Sequence, residues 1–342
     1  MRRLVLIVLG LTLAACGAPA NPPTTTSPGS PAATATSTGT SNGTPVAIGM
    51  GYIPDVQFAP FYVAQRKGYY ADEGLDVTLN HSDIRDALVQ VAQGRLTFAN
   101  ASGDEILLAR GQDIPISLVF QMYQQSPIAI FAKQETGIAE PEDLRGKTIG
   151  VPGRFGATYI GLLGVLDTAG LDEQAVSIAE IGFTQAEAVR TDTVEAAVGY
   201  ANNEPLLLSS EGIPVNVMRV SDYFSLVATG IVASEQMIEE DPDLVRRFVR
   251  ATARGLQDTL DNPDEAFEIA LQFVPELSDE QQPRERQKLE TTLSLWRPQD
   301  ESNGLGYSNP EQWQTTYRFL RDRNLLQRDL QVEQAFTNEL RQ

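Results

Sequence analysis

The sequence predicts an α/β protein of two lobes, each a mostly parallel sheet flanked by helices, with a ligand cleft between them. Three observations carry this. Strand-like and helix-like segments alternate from Val46 onward, and a βαβ rhythm implies parallel strands covered on both faces. The rhythm runs twice, over residues 46–120 and again over 148–220, with extended segments joining the two runs. Residues 45–342 have an ordinary soluble composition, and about 300 residues suffice for two domains and a large core.

In the first series, 46–50 reads as an apolar strand and 59–67 as a helix that stops at Gly68. Residues 75–79 form the second strand, 82–93 a helix opened by Ser82, and 96–99 the third strand. A short helix at 104–110 and a strand at 115–120 complete it, and 128–132 is a strand leading into a polar stretch, 133–145. The second series sets strand 148–151, helix 157–169, strand 176–181, helix 185–190 and strand 195–200. Helix 204–210, strand 215–220 and a returning strand at 226–233 follow. The remainder is helical. Asp241-Pro242 caps a helix running to Leu260, in which Val245, Phe248, Val249, Thr252 and Leu256 share one face. Asn262-Pro263-Asp264-Glu265 reads as a capping box. These readings divide the body into lobe 1 (45–132 and 233–342) and lobe 2 (133–232), hinged near 132–133 and 229–233.

The N-terminus carries an address. Arg2 and Arg3 form a basic start, residues 4–13 an apolar run, and Leu13-Ala14-Ala15 precedes Cys16, the single cysteine. This is the pattern of a signal peptide, residues 1–15, and the run is too short to cross a bilayer as a mature helix. Cysteine at that point suits lipidation at a new N-terminus. Residues 17–44 contain only Gly, Ala, Pro, Asn, Thr, Ser and the like; such a stretch buries too little to offset its ordering entropy and serves as a tether. The expected location is the outer face of a bacterial cell membrane, held by the N-terminal lipid alone. With one cysteine, the body has no disulfide. The formal net charge is −19, and scarce Lys/Arg clusters argue against nucleic acid and against a polybasic membrane patch.

Ligands of two-lobed α/β proteins sit where strand ends lead into helix N-termini. The loops at those ends hold Asp55, Gln57 and Phe58; Ser102, Asp104 and Glu105; and Gln121 and Tyr123. In the second series they hold Arg154, Phe155, Thr158 and Tyr159, then Phe183 to Gln185, then Tyr200, Asn202, Asn203 and Glu204.

At these residues the chain resembles a known family. Gly51-Tyr52-Ile53-Pro54-Asp55, Phe61-Tyr62-Val63-Ala64, Lys67-Gly68-Tyr69-Tyr70, Glu73-Gly74-Leu75-Asp76-Val77 and Leu144-Arg145-Gly146-Lys147-Thr148-Ile149-Gly150-Val151 are similar to substrate-binding proteins of bacterial ABC importers. The group is the one for thiamine-pyrimidine precursors, sulfonates and nitrate. Ile181-Gly182-Phe183-Thr184-Gln185 and Tyr200-Ala201-Asn202-Asn203-Glu204-Pro205 resemble its riboflavin-binding branch. The resemblance covers residues 46–275 and implies the type II periplasmic-binding-protein fold, a small vitamin ligand, a membrane permease as partner, and a monomer.

Under that resemblance the ligand-binding residues are expected to be Gln57, Phe58, Asp104, Tyr123, Phe155, Tyr159, Tyr200, Asn202, Asn203 and Glu204. The aromatics suit a flat heterocycle, with stacking worth about 0.5–1.5 kcal/mol per pair; the amides and acids suit ring edges. For each aromatic the competing reading is core packing, which is favoured for Phe61, Tyr62, Trp296 and Trp313. The loop at 153–158 holds a helix N-terminus, but Phe155 at its centre favours a neutral aromatic ligand over an anion. Riboflavin is the expected cargo, a transported ligand and not a cofactor, with a hydroxymethyl- or formylamino-pyrimidine as alternative. A pyrimidine-synthase-like enzyme or a ligand sensor on the same fold is a further alternative. The enzyme reading lacks residues: His81 is the only histidine, placed in an exposed loop, and no nucleophile–base pair or metal cluster stands out. Residues 298–309 read as a surface loop or a flap.

Overall fold

A computed structural model describes residues 43–81 and 84–341. The expected signal peptide, Cys16, nearly all of the tether and the Ser82 cap lie outside the described residues.

The first lobe holds strands β1 (Thr44–Gly49), β2 (Leu75–Asn80), β3 (Phe98–Ala101) and β4 (Ile116–Phe120). The second holds β5 (Ile128–Lys133), β6 (Thr148–Val151), β7 (Ser177–Glu180), β8 (Ala196–Tyr200) and β9 (Val215–Arg219). Strand β10 (Gly230–Ser234) returns to the first. Each sheet has five strands, ordered β2-β1-β3-β10-β4 and β7-β6-β8-β5-β9. In both, the strand in fourth place runs against its two neighbours: β10 in the first sheet, β5 in the second. The expected mostly parallel sheets are therefore present, each with one reversed strand. Strands β4, β5 and β10 are buried on both faces, which is why they read as mostly apolar runs without alternation.

Strand pairing moves the boundaries between the sheets. Residues 128–132 pair with β8 and β9, so the first crossing falls within 121–127 and not after Ala132. The return falls within 220–229, because β10 already belongs to the first sheet. Of the strand expected at 226–233, only the second half forms. The backbone of Val227 and Thr229 is committed elsewhere: Val227 O accepts from Gly103 N at 3.0 Å, Thr229 O from Tyr123 N at 2.9 Å, and Val227 N donates to Thr316 Oγ1 at 3.3 Å.

Helix Pro242–Asp261 matches its expected span, with Asp241 accepting from Leu244 N at 3.0 Å. Its buried face meets helix Ala59–Arg66, and the contact is tight enough that a Cβ at Gly255 would lie 2.2 Å from Pro60 O. Phe248 stacks on Phe98 at 4.2 Å and on Tyr70 at 5.3 Å between ring centres. The capping box at Asn262 does not form. Asn262 closes the preceding helix, its N–H bonded to Asp258 O, and its side chain caps nothing in helix Pro263–Leu271. The two lobes touch beside the cleft: helix Gly103–Gly111 packs on Gly156–Thr168, and helix Gln282–Trp296 on Glu204–Ser210.

The far end of the 298–309 segment is fixed in place. Gln121 N donates to Gly306 O at 3.0 Å, and Ser308 Oγ donates to Gln121 Oε1 at 2.8 Å while accepting from Trp313 Nε1 at 2.7 Å. That end braces a crossing segment. No helix among the described residues is long and apolar enough to cross a membrane.

Candidate ligand cleft

The strand ends of both sheets open onto one cavity of about 510 Å³, within the roughly 300–1,000 Å³ usual for small-molecule sites. On the first lobe, Asp55 Oδ1 accepts from Gln57 N at 2.9 Å and turns the chain into the short helix Val56–Phe58. That turn brings Gln57 and Phe58 to the cavity wall. After β3, Ser102 donates its backbone N–H and hydroxyl to Glu105 Oε2 at 2.9 and 2.8 Å. This folds Glu105 back over the helix start, so Ser102 and Glu105 line the cavity.

Of the ten expected ligand residues, Gln57, Phe58, Tyr123, Phe155, Tyr200, Asn202, Asn203 and Glu204 line this cavity. Asp104 and Tyr159 do not. Asp104 is fully buried at the next position around its helix from Glu105, away from the wall, with neither carboxylate oxygen hydrogen-bonded. Burial pushes its pKa up to about 7, and the neighbouring Glu105 adds to the rise. Tyr159 is carried around helix Gly156–Thr168 and donates its hydroxyl to Glu173 Oε2 at 2.8 Å, where Arg154 Nη1 also binds at 2.7 Å. Arg154 is thus spent in an exposed pair. Thr158, Phe183, Thr184 and Gln185 line the cavity, whereas Asp55 and Gln121 serve its supports.

Several wall residues were not among those expected. Trp296, for which packing is the expectation, lines the cavity while fully buried, edge-on to Tyr123 at 5.9 Å. Trp313 does pack, stacked on Phe336 at 5.1 Å. Tyr62 stacks on Phe273 at 4.4 Å as expected, while Phe61 reaches the wall. Tyr52, Asn100, Met122, Arg190 and Lys288 also line it. His81 is half-buried and not exposed: its Nδ1 sits 2.7 Å from Tyr52 O, and its ring lies 5.6 Å from that of Phe58. His81 therefore buttresses two wall residues.

Lys288 is the more deeply buried of the two wall cations. Its Nζ lies 2.7 Å from Asp55 Oδ2 and 2.8 Å from Glu285 Oε2, with side-chain exposures of 7%, 9% and 6% respectively. Burial opposes its charge, but the two carboxylates outweigh that and hold its pKa above the ordinary lysine value. Arg190 is paired with Glu187 and Glu211. Burial raises Glu204, opposed by the Tyr200 N–H it accepts at 2.8 Å. Burial likewise holds the phenols of Tyr123 and Tyr200 above their usual range. The cavity is thus a polar-edged aromatic slot in which two wall cations are already neutralised.

The comparisons with known proteins fit this geometry. Residues 55–266 match the family model described as NMT1/THI5 like. The chain is similar to the riboflavin-binding protein RibY of Chloroflexus aurantiacus, 45% identical, covering 98% of this chain and 95% of that one. It is 27% identical to a formylaminopyrimidine-binding protein of Halalkalibacterium halodurans, covering 86% and 89%. Among solved structures, the aliphatic sulphonate binding protein SsuA of Escherichia coli superposes with a TM-score of 0.70 at 13% identity, covering 85% of this chain and 96% of that chain.

Proposed function

This chain belongs to the NMT1/THI5-like family, and from that premise we propose that it is a solute-binding protein of an ABC importer whose cargo is riboflavin or a close flavin. The observation that carries this reading is the slot itself. Tyr52, Phe58, Tyr123 and Trp296 from one lobe face Phe155 and Tyr200 from the other across a single cavity. Stacked rings suit a flat heterocycle, while Gln57, Asn100, Asn202 and Asn203 offer donors and acceptors for its edges and polyol. The 45% identical riboflavin-binding relative supports the same ligand class.

Ligand held by both walls stabilises the closed form in proportion to its differential affinity for it. The hinge of that motion is assigned to residues 121–127 and 220–229. The closed protein, a monomer held to the outer membrane face through Cys16, presents both lobes to the permease. No chemical step is assigned to the wall residues, and riboflavin incubated overnight with the protein is expected to be recovered unchanged. A formylamino- or hydroxymethyl-pyrimidine is the second reading, favoured by the Halalkalibacterium halodurans relative and by Glu204, a wall carboxylate suited to an exocyclic amine.

Titrating the purified protein with riboflavin should quench flavin fluorescence at micromolar protein; an unchanged signal refutes the flavin reading. For the anchor, Cys16→Ser should move the protein from the membrane to the soluble extracytoplasmic fraction. Continued membrane retention refutes lipidation at Cys16.

A further inference from the structure

Three residues of the cavity wall each hold one buried polar atom without a hydrogen-bond partner: Asn100 Oδ1, Asn202 Oδ1 and Trp296 Nε1. A buried polar group left unmade costs more than a made bond gains, so each looks to whatever occupies the cavity. Asn202 is the informative one, because its amide orientation follows from its neighbours. Its Nδ2 lies 2.6 Å from Thr292 Oγ1, and Thr292 Oγ1 lies 2.7 Å from Lys288 O. A carbonyl can only accept, so the threonine hydrogen goes to Lys288 O. Thr292 then has only lone pairs for Asn202, which must present its NH₂ group and turn its carbonyl oxygen away.

Thr292 and Trp296 stand one turn apart on the same helix, hence on one face. Asn202 and Trp296 therefore meet at one corner of the slot. Both residues lie by the Tyr123 hydroxyl, where donors, the indole N–H and the Asn202 NH₂, oppose the rise in its pKa, while Trp296 Nε1 and Asn202 Oδ1 themselves make no hydrogen bond. Asn202 belongs to the second lobe and Thr292 to the first, so the Asn202–Thr292 bond also spans the cleft.

Building on the ABC-importer reading, we infer that Asn202 sets specificity and couples it to closure: its Oδ1 takes a ligand N–H, Trp296 Nε1 donates to the adjacent ligand acceptor, and the same amide latches the lobes through Thr292. The ligand class is a heterocycle with an N–H beside a carbonyl or ring nitrogen. The three bonds run in one direction, from ligand N–H to Asn202, from Asn202 to Thr292 and from Thr292 to Lys288 O, so each polarises the next.

The test uses the full protein and two ligand pairs: riboflavin with its N3-methyl derivative, and 4-amino-5-hydroxymethyl-2-methylpyrimidine with its 4-dimethylamino derivative. Wild type should prefer the N–H member of the pair it binds by at least about thirtyfold, and Asn202→Leu should cut that preference to about threefold or less. Thr292→Val should keep the preference, weaken both members about five- to tenfold, and reduce compaction on saturation, read by small-angle scattering. If Asn202→Leu lacks a cooperative thermal transition, Asn202→Asp is read instead: it retains an acceptor and should keep the preference while losing compaction. An unchanged preference in Asn202→Leu overturns the specificity role, and unchanged affinity in Thr292→Val overturns the latch. If only the pyrimidine pair binds, the flavin reading fails and that pair judges Asn202. If neither pair binds, both fall.

Discussion

Replacing Lys288 by Met should leave a nearly isosteric side chain and one stranded acid. Glu285 keeps Arg284 at 2.9 Å, so it is not left alone. Asp55 loses the one ion-pair partner it has among the described residues, while its side chain stays 9% exposed. Stranding one member of a buried pair costs about 3–5 kcal/mol. The cost has a ceiling, because a stranded carboxylate can instead take up a proton. That escape costs about 1.4 kcal/mol for each pH unit above an ordinary aspartate value of about 3.9. The ceiling is therefore about 4 kcal/mol at pH 7 and about 1.5 kcal/mol at pH 5. For a body of about 300 residues, 4 kcal/mol corresponds to a melting midpoint lower by roughly 6–8 °C.

The sign at high pH follows from Lys288. Its pKa is raised in the folded protein, so its contribution is complete below the ordinary lysine value and fades as pH rises through the folded one. The gap between wild type and Lys288→Met should thus be widest near neutral pH and narrow on both sides. Urea and thermal unfolding at pH 5, 7 and 10.5 measure it, with Lys147→Met as control. The Lys147–Glu195 pair is 32% and 44% exposed, and its loss should cost below about 1 kcal/mol. A deficit under about 1 kcal/mol for Lys288→Met at pH 7, or equal deficits at pH 5 and 7, would refute the reasoning.

Gly306→Ala should destabilise by about 2–4 kcal/mol in urea unfolding, because Gly306 has a φ of +76° and an added Cβ would lie 2.1 Å from the Phe120 ring. Asp104→Asn should raise the melting midpoint at pH 8 and have no effect near pH 4. An acid whose folded pKa is raised penalises folding increasingly as pH climbs from its unfolded value through the folded one, and the amide removes that penalty. Phe155→Ala should leave stability within about 1 kcal/mol while weakening riboflavin binding about three- to tenfold, since this ring is 40% exposed at the cleft. Fluorescence titration beside a thermal melt separates the two effects.

The strands were legible because each is a short apolar run bounded by Gly, Pro or polar residues. Their sheet membership was not. Nothing local in Ile128–Lys133 says that it pairs with residues about 70 and 90 positions later, and the lobe boundary shifted for that reason. Most cleft residues were legible as strand-end loops. At the loop after β3 it is Glu105 and not Asp104 that lines the cavity, and the Ser102-to-Glu105 spacing already marks the residue that folds back over a helix start. Trp296 was missed because helical periodicity reports burial without saying whether a core or a cavity does the burying. Lys288 showed only a local i,i+3 pairing with Glu285, and nothing pointed to Asp55, 233 positions away.

The two walls of the cleft differ in a way that bears on how closure is driven. On the first lobe, Phe58, Tyr123 and Trp296 are all at most 5% exposed, and the Lys288 cluster and the Gln121 brace hold that wall in place. On the second, Phe155 and Phe183 remain 40% and 73% exposed. Burying apolar surface on ligand binding gains roughly 25 cal/mol per Å², and the surface still to be buried lies mostly on the second lobe. A ring seated on the first wall thus gains little more there, whereas each further contact with Phe155 or Phe183 requires the second lobe to swing in. Under the proposed closure, the differential affinity that drives it is concentrated in those two side chains, so truncating Phe183 should reduce compaction more than it reduces initial binding. Equal loss of both would mean that the first wall, too, is assembled only on closure.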